Sequence, residues 1–261
     1  MFNILVKIHR GHAMKLQTLK VLVTGATAGI GQALVEVLLQ KGCQVVVCAR
    51  NEMALDAMRN RHHGLAIFRC DLACVSDVER LAEHVRAEHA DLAVLINNAG
   101  VQYPLDFNSA PYADIRHASQ QEIEVNFVAP VLLSALLLPV LCRQPLGAII
   151  NISTGLALSP KKSSPVYCAT KAALRSFTKS LRYQVSEKYP QLHLIEALLP
   201  LVDTAMTRGR GTGKISPVQA AAKIVKGIEQ ERDEIYIGKS NLLRIVHRIA
   251  PSVADRILKN W

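Results

Sequence analysis

The feature that most constrains this chain is an alternation running almost its whole length. Short apolar, β-branched runs take turns with longer stretches of helical periodicity. Residues 19–24, 44–48, 65–69, 92–96, 148–152 and 192–198 read as strands, and 235–237 as a shorter seventh. Between them, 31–40, 53–61, 76–88 and 119–141 read as helices, and Ser164-Pro165 opens another long one. Within 76–88, Val78, Leu81, Ala82 and Val85 share one face, and Gly42 is placed to end the first helix. Strands this apolar are covered on both sides, and strand–helix alternation makes their pairing parallel. The expected fold class is therefore α/β: one doubly wound domain, a parallel sheet of about seven strands with helices on both faces.

The chain's 261 residues suit one such domain and show no internal repeat, low-complexity tract or linker. Half the residues are hydrophobic, as in a globular protein. The net charge is +10, but the basic residues are scattered and aromatics make up only 5%, which argues against a nucleic-acid surface built on stacking. The six cysteines show no paired metal spacing, and residues 1–18 lack the apolar core of a secretion signal, so a cytoplasmic location is expected. Residues 1–18 read as an N-terminal extension before a domain spanning 19–261, with Met14 offering an alternative start that would leave the first thirteen residues an artefact or a loose arm. Residues 125–142 are uncharged and near membrane-spanning length, yet Asn126, Pro130, Ser134 and Pro139 interrupt them, so a buried core helix is expected.

Thr24-Gly-Ala-Thr-Ala-Gly-Ile-Gly31 joins the first strand to its helix. Gly25, Gly29 and Gly31 allow a tight turn and close backbone approach, and the helix start behind them offers free N–H groups and a positive dipole end to a pyrophosphate. The loop residues Thr24, Gly25, Thr27, Ala28, Gly29, Ile30 and Gly31 are thus candidate cofactor contacts, although a glycine loop alone also fits a plain turn.

Tyr167-Cys-Ala-Thr-Lys171 places a phenol and an ammonium one helical turn apart. A fixed cation beside a phenol favours phenolate, and a helix N-terminus acts the same way, which suits proton exchange near neutral pH. Ser153 follows the fifth strand, at the sheet edge where ligands bind, and could hydrogen-bond a substrate oxygen. Asn126 lies four residues before Pro130, which has no N–H, so the Asn126 carbonyl is freed at a kink and could hold a relay water.

In order, these motifs resemble the short-chain dehydrogenase/reductase family from about Lys20 to Thr204. TGATAGIG matches its cofactor loop, Asp71-Leu72 its adenine-contacting pair, and Asn97-Asn98-Ala99-Gly100 its NNAG turn. Asn126, Ser153, Tyr167 and Lys171 match its four catalytic positions. The resemblance implies a Rossmann-like fold and hydride transfer between a nicotinamide cofactor and a small carbonyl or alcohol. It casts Tyr167 as general acid/base, Ser153 as orienter of the carbonyl, Lys171 as ribose contact and tuner, and Asn126 as holder of the relay water. Asn98, Ala99, Gly100, Val202 and Thr204 would also line the cofactor, and a homodimer or homotetramer is implied. Beyond the sixth strand Leu199-Pro200 stands where the family has Pro-Gly, and proline in place of glycine stiffens the loop. From there the chain resembles bacterial oxidoreductases of the D-alanine-esterification (DltE) type, which says little about substrate. A non-turnover NADP(H)-binding regulator or an epimerase of the same family remain alternatives.

At the end of the second strand, Ala49 stands where a carboxylate would read the ribose hydroxyls and repel a 2′-phosphate, and Arg50 follows. That pairing predicts NADP(H) over NAD(H). The glycine-rich segment 205–216 reads as a short mobile lid whose Arg208 and Arg210 suit an anionic substrate. The tail, 241–261, forms two amphipathic pieces split by Pro251. Packing on the domain or a partner subunit is expected over membrane anchoring.

Overall fold

Each predicted run becomes a strand or helix in the computed structural model, which describes residues 14–260. The strands are β1 (Lys20–Thr24), β2 (Gln44–Ala49), β3 (Ala66–Arg69), β4 (Leu92–Asn97), β5 (Gly147–Thr154), β6 (Leu192–Leu199) and β7 (Glu234–Tyr236). They form one sheet in the order β3-β2-β1-β4-β5-β6-β7, with every neighbouring pair parallel. The chain works outward from β1 to β3, then returns to lay β4 on the other side of β1. That reversal opens a crevice beyond the carboxyl ends of β1 and β4.

Strand pleating sends alternate residues to two apolar layers. Val21, Val23, Val47 and Ile150 face one layer, packed with Leu34 and Leu38 of α1 (Gly29–Gln40), Leu55 of α2 (Glu52–Arg61) and Ile224 of α7 (Pro217–Glu229). Leu22, Val46, Leu95 and Ile149 face the other, against Val78 and Leu81 of α3 (Val75–Glu88) and Leu133 and Leu137 of α5 (Ala129–Leu141). α6 (Pro165–Lys188) joins this second layer through Val185.

The helix expected over 119–141 is broken. α4 (Tyr112–Ile123) and α5 are joined by a π-helical turn, Glu124–Val128. Pro130 cannot donate to Asn126, and the ladder slips just before it: the N–H of Ala129 donates to Glu124, five residues back. The stretch Tyr112–Leu141 is long and apolar enough to cross a membrane by length and composition. Leu133, Leu137 and Leu141 are nevertheless buried in the second layer, in keeping with a core helix.

The boundary expected at residue 19 falls inside the packed unit. Met14 and Leu16 are buried in the first layer, the Met14 N–H donates to Glu229 of α7 at 2.8 Å, and the Leu16 carbonyl accepts from Cys43. Only 1–13 of the expected extension, with Trp261, lie outside the described residues. The tail forms α8 (Lys239–Ile249) and α9 (Pro251–Leu258). Its inner face, with Ala254 and Leu258, packs on the domain, while Leu242, Ile245, Ile249, Val253 and Ile257 are exposed.

Candidate active site

A cavity of about 860 Å³ runs along the carboxyl edge of the sheet. Arg50 and Asp71 line it beyond β2 and β3, Ser153 lines it at the end of β5, and Tyr167 and Lys171 line it from the helix that follows. The glycine loop forms its floor. Gly25 and Gly29 adopt φ of 64° and 56°, which a side chain would strain. A Cβ on Gly31 would sit 2.2 Å from the Gly25 carbonyl oxygen, so only glycine lets helix and loop close together. Ala28 precedes α1 without a side-chain cap, leaving first-turn N–H groups uncapped toward the cavity lined by Thr27, Ala28, Gly29, Ile30 and Gly31. A long cavity, uncapped amides and a glycine-only approach together fit a dinucleotide.

The loop is held from behind. Thr24 is buried, and its Oγ1 accepts from the N–H groups of Asn98 and Ala99, both at 3.0 Å. The Asn98 amide donates back to the carbonyls of Thr24 and Gly25, at 2.9 and 3.2 Å. Thr24, expected among the cofactor contacts, is therefore a clip behind the cavity wall rather than part of it, because its hydroxyl is spent on the β4 turn. Asp71, Leu72, Asn98, Ala99, Gly100, Val202 and Thr204 do line the cavity, as does Arg50, first residue past β2. Asn51 and Cys70 line it too, and sequence reading passed them over.

The Asn126 side chain is likewise spent on holding the fold, while the relay role expected of Asn126 rests on its backbone carbonyl. Asn126 is wholly buried and lies outside the cavity lining. Its Oδ1 accepts from the Val101 N–H and its Nδ2 donates to the Val101 carbonyl, both at 2.8 Å, with a longer bond of 3.3 Å to Thr170 Oγ1. The side chain ties the turn after β4 to α6. A Cβ on Gly100 would lie 3.3 Å from Asn126 Oδ1 and 3.7 Å from Lys171 Nζ, so this clip and the lysine meet at Gly100.

Ser153, on β5, is buried and faces the cavity, and its hydroxyl makes no close hydrogen bond, reaching only toward the Glu196 carboxylate. Tyr167 lies in the first turn of α6, which Pro165 opens as expected, and Lys171 follows one turn later. The Lys171 ammonium donates to the Ile152 carbonyl at 2.9 Å and stands 6.0 Å from the centre of the Tyr167 ring. Burial pushes the Lys171 ammonium down to about 8, against the opposing field of Glu196. Burial pushes the Tyr167 phenol upward, aided by Cys168 and Glu122 and opposed by Arg210. The lowering of the phenol expected from Lys171 is not found: burial dominates, and the one opposing charge is that of Arg210. Behind Lys171, the buried Glu196 pairs with Arg175, which also reaches Glu234 at 2.8 Å.

The lid is shorter and better tied than a free glycine loop. Val202 and Ile215 form a parallel bridge, and Lys214 Nζ donates to the Thr207 carbonyl at 2.7 Å. Thr204 faces the glycine loop: a Cβ on Gly29 would lie 3.1 Å from its methyl. Of the two arginines expected at the tip, Arg210 lines the cavity and bonds Gln102, while Arg208 is exposed and does not line it. Lys161, which carried no signal in the sequence, is buried in the cavity wall.

The family model described as short chain dehydrogenase matches residues 19–214. An uncharacterized oxidoreductase, DltE, of Bacillus subtilis (strain 168) is 38% identical over 228 residues, covering 85% of this chain and 89% of its own. A fatty acyl-CoA reductase of Acinetobacter baylyi is 29% identical over 91% of this chain and 82% of its own. Among solved structures, a short chain dehydrogenase from Burkholderia cenocepacia J2315 in complex with NADP superposes with a TM-score of 0.83. It is 26% identical and covers 94% of this chain and 99% of that one.

Proposed function

Because this chain belongs to the short-chain dehydrogenase family, an NAD(P)-dependent oxidoreductase family, we propose that it interconverts a carbonyl and an alcohol with Tyr167 as its proton-transfer group and NADP(H) as its preferred cofactor. The observation carrying this reading is that the buried Ser153 hydroxyl, Tyr167 and Lys171 line one cavity. A buried hydroxyl without a close hydrogen bond is free to turn toward a ligand, here a substrate oxygen.

The nicotinamide, when bound, supplies or accepts the hydride. In the reducing direction Ser153 orients the carbonyl oxygen, and the Tyr167 hydroxyl, whose proton burial holds firmly, donates it to that oxygen. The Lys171 ammonium, fixed by Ile152, compensates the phenolate that remains. Oxidation runs these proton movements backward. Asn126 contributes indirectly, by holding Val101 and α6 in register. The glycine loop and the uncapped start of α1 take the pyrophosphate, and Asp71 and Leu72 line the adenine end. Ala49 and Arg50 favour the 2′-phosphate, and the NADP held by the Burkholderia cenocepacia relative supports this preference.

The test is spectrophotometric: oxidation of NADPH and NADH against a panel of aldehydes and ketones. Turnover with NADPH favoured is the expected result. Tight NADPH binding with no turnover of any carbonyl would instead favour a sensor of the cofactor.

A further inference from the structure

One buried cation in the cavity is used neither by the fold nor by the reaction. Lys161 is only 8% exposed and lines the cavity, and no hydrogen bond or ion pair reaches its ammonium among the described residues. Its backbone is fixed: its N–H meets the sulfur of Cys168, and the next residue, Lys162, donates to the Lys259 carbonyl after α9. Arg210 enters the same cavity from the lid, steadied by Gln102, and its charge is felt at both Lys161 and Tyr167. Two cations therefore converge beside the catalytic tyrosine with no carboxylate paired to either.

A cation partly stripped of water in a cavity wall gains from a counter-ion. Burial and the nearby guanidinium do push the Lys161 ammonium below its ordinary range. An anion between the two side chains would remove both penalties, and the guanidinium fork suits carboxylate or phosphate. Pro104, Leu156 and Met206 line the space alongside, which favours a short apolar spacer between anion and reacting carbon.

We infer that the substrate is an oxo or hydroxy compound carrying an anionic group, held between the Lys161 ammonium and the Arg210 guanidinium while its carbonyl lies at Ser153 and Tyr167. The inference rests on the hydride-transfer reading above and adds a substrate class to it. The anion's role is binding and orientation, and it takes no part in the proton or hydride transfer.

The experiment compares matched pairs: 4-oxopentanoate and 5-oxohexanoate against their amides, and dihydroxyacetone phosphate against dihydroxyacetone. Wild-type enzyme is expected to favour the anion by at least ~10-fold in kcat/KM, and the better of the carboxylate and phosphate series identifies the group. Lys161→Met is expected to lower kcat/KM for the anion by roughly 30-fold or more, as for loss of one partner of a desolvated pair, and to change the neutral partner by less than about 3-fold. Arg210→Gln should act in the same direction, and NADPH affinity should hold in both variants. Equal losses on anionic and neutral substrates, or a wild-type preference for the neutral ones, would overturn the inference and leave hydride transfer standing. A second measurement does not depend on turnover. Hexanoate, hexyl phosphate and hexanamide are titrated into the NADP⁺-loaded protein by thermal shift. Stabilisation by one of the anions but not the amide, lost in Lys161→Met, supports the anion site even if no carbonyl is turned over. Indifference to both anions there refutes it.

Discussion

Lys171 and Tyr167 lie one helical turn apart, yet the ammonium stands 6.0 Å from the ring centre and gives its hydrogen bond to Ile152. Both groups are pushed toward their neutral forms by burial, the lysine down and the phenol up. Spacing on a helix brings two side chains to one face, but the medium around them decides which charge state is favoured.

The rate of carbonyl reduction should therefore fall as pH rises through about 8, where Lys171 loses its charge. The same group bears on stability with a definite sign. Its folded pKa lies below its unfolded one, so the unfolded chain binds more protons between about 8 and the ordinary lysine range. The contribution is full above that window and is lost as pH falls through it. Lys171→Met should flatten the change, raise Tm at neutral pH by a few degrees, and lower turnover by about 10²-fold or more. A Tm that drops on substitution would show that the bond to Ile152 outweighs the burial of the charge.

Tyr167→Phe keeps the ring and removes the transferable proton. Turnover should fall by about 10²–10⁴-fold, the usual contribution of a positioned acid or base. Cofactor affinity, read by fluorescence titration, should barely move. Activity within a few-fold of wild type would exclude Tyr167 as the proton donor.

Arg50→Ala should weaken NADPH binding by about 1.5–3 kcal/mol, the worth of a charge-assisted bond, and leave NADH little changed. Arg50 is exposed, so the preference should also shrink with added salt. Equal losses for the two cofactors would mean that the 2′-phosphate is read elsewhere.

The strands, the glycine loop and the Tyr167–Lys171 spacing were legible because each rests on a local period or a local conformational demand. What escaped the sequence depends on partners far along the chain. The Thr24 hydroxyl is spent on Asn98 and Ala99, and the Asn126 amide on Val101, and no local pattern says whether a polar side chain faces a ligand or a neighbouring loop. Lys161 sits in a Lys161-Lys162 pair that reads as solvated surface. Its place in the cavity wall belongs to tertiary packing, in which the chain near Lys259 returns to accept a bond from Lys162. The slip at Glu124–Val128 falls between these cases: Pro130 announces a break, while its form as a π turn depends on α4 and α5 both being packed.

The N-terminal boundary offers the sharpest separation of sequence from structure. Sequence periodicity begins near residue 19, whereas Met14 and Leu16 are 1% and 2% exposed and Met14 is hydrogen-bonded to the end of α7. A chain begun at Met14 keeps these contacts and should match the full-length protein in Tm and activity. A chain begun at residue 19 loses two buried apolar side chains and uncovers the surface they seal beside α7. Leu16→Ala gives the milder version of the same loss, about 2–5 kcal/mol for a large-to-small change in a packed core. Denaturant unfolding of the four proteins separates the contributions. The expected order of midpoints is full length equal to the Met14 start, then Leu16→Ala, then the start at 19. If the start at 19 unfolds at the same midpoint as full length, residues 14–18 are an appendage and the packed unit begins with β1.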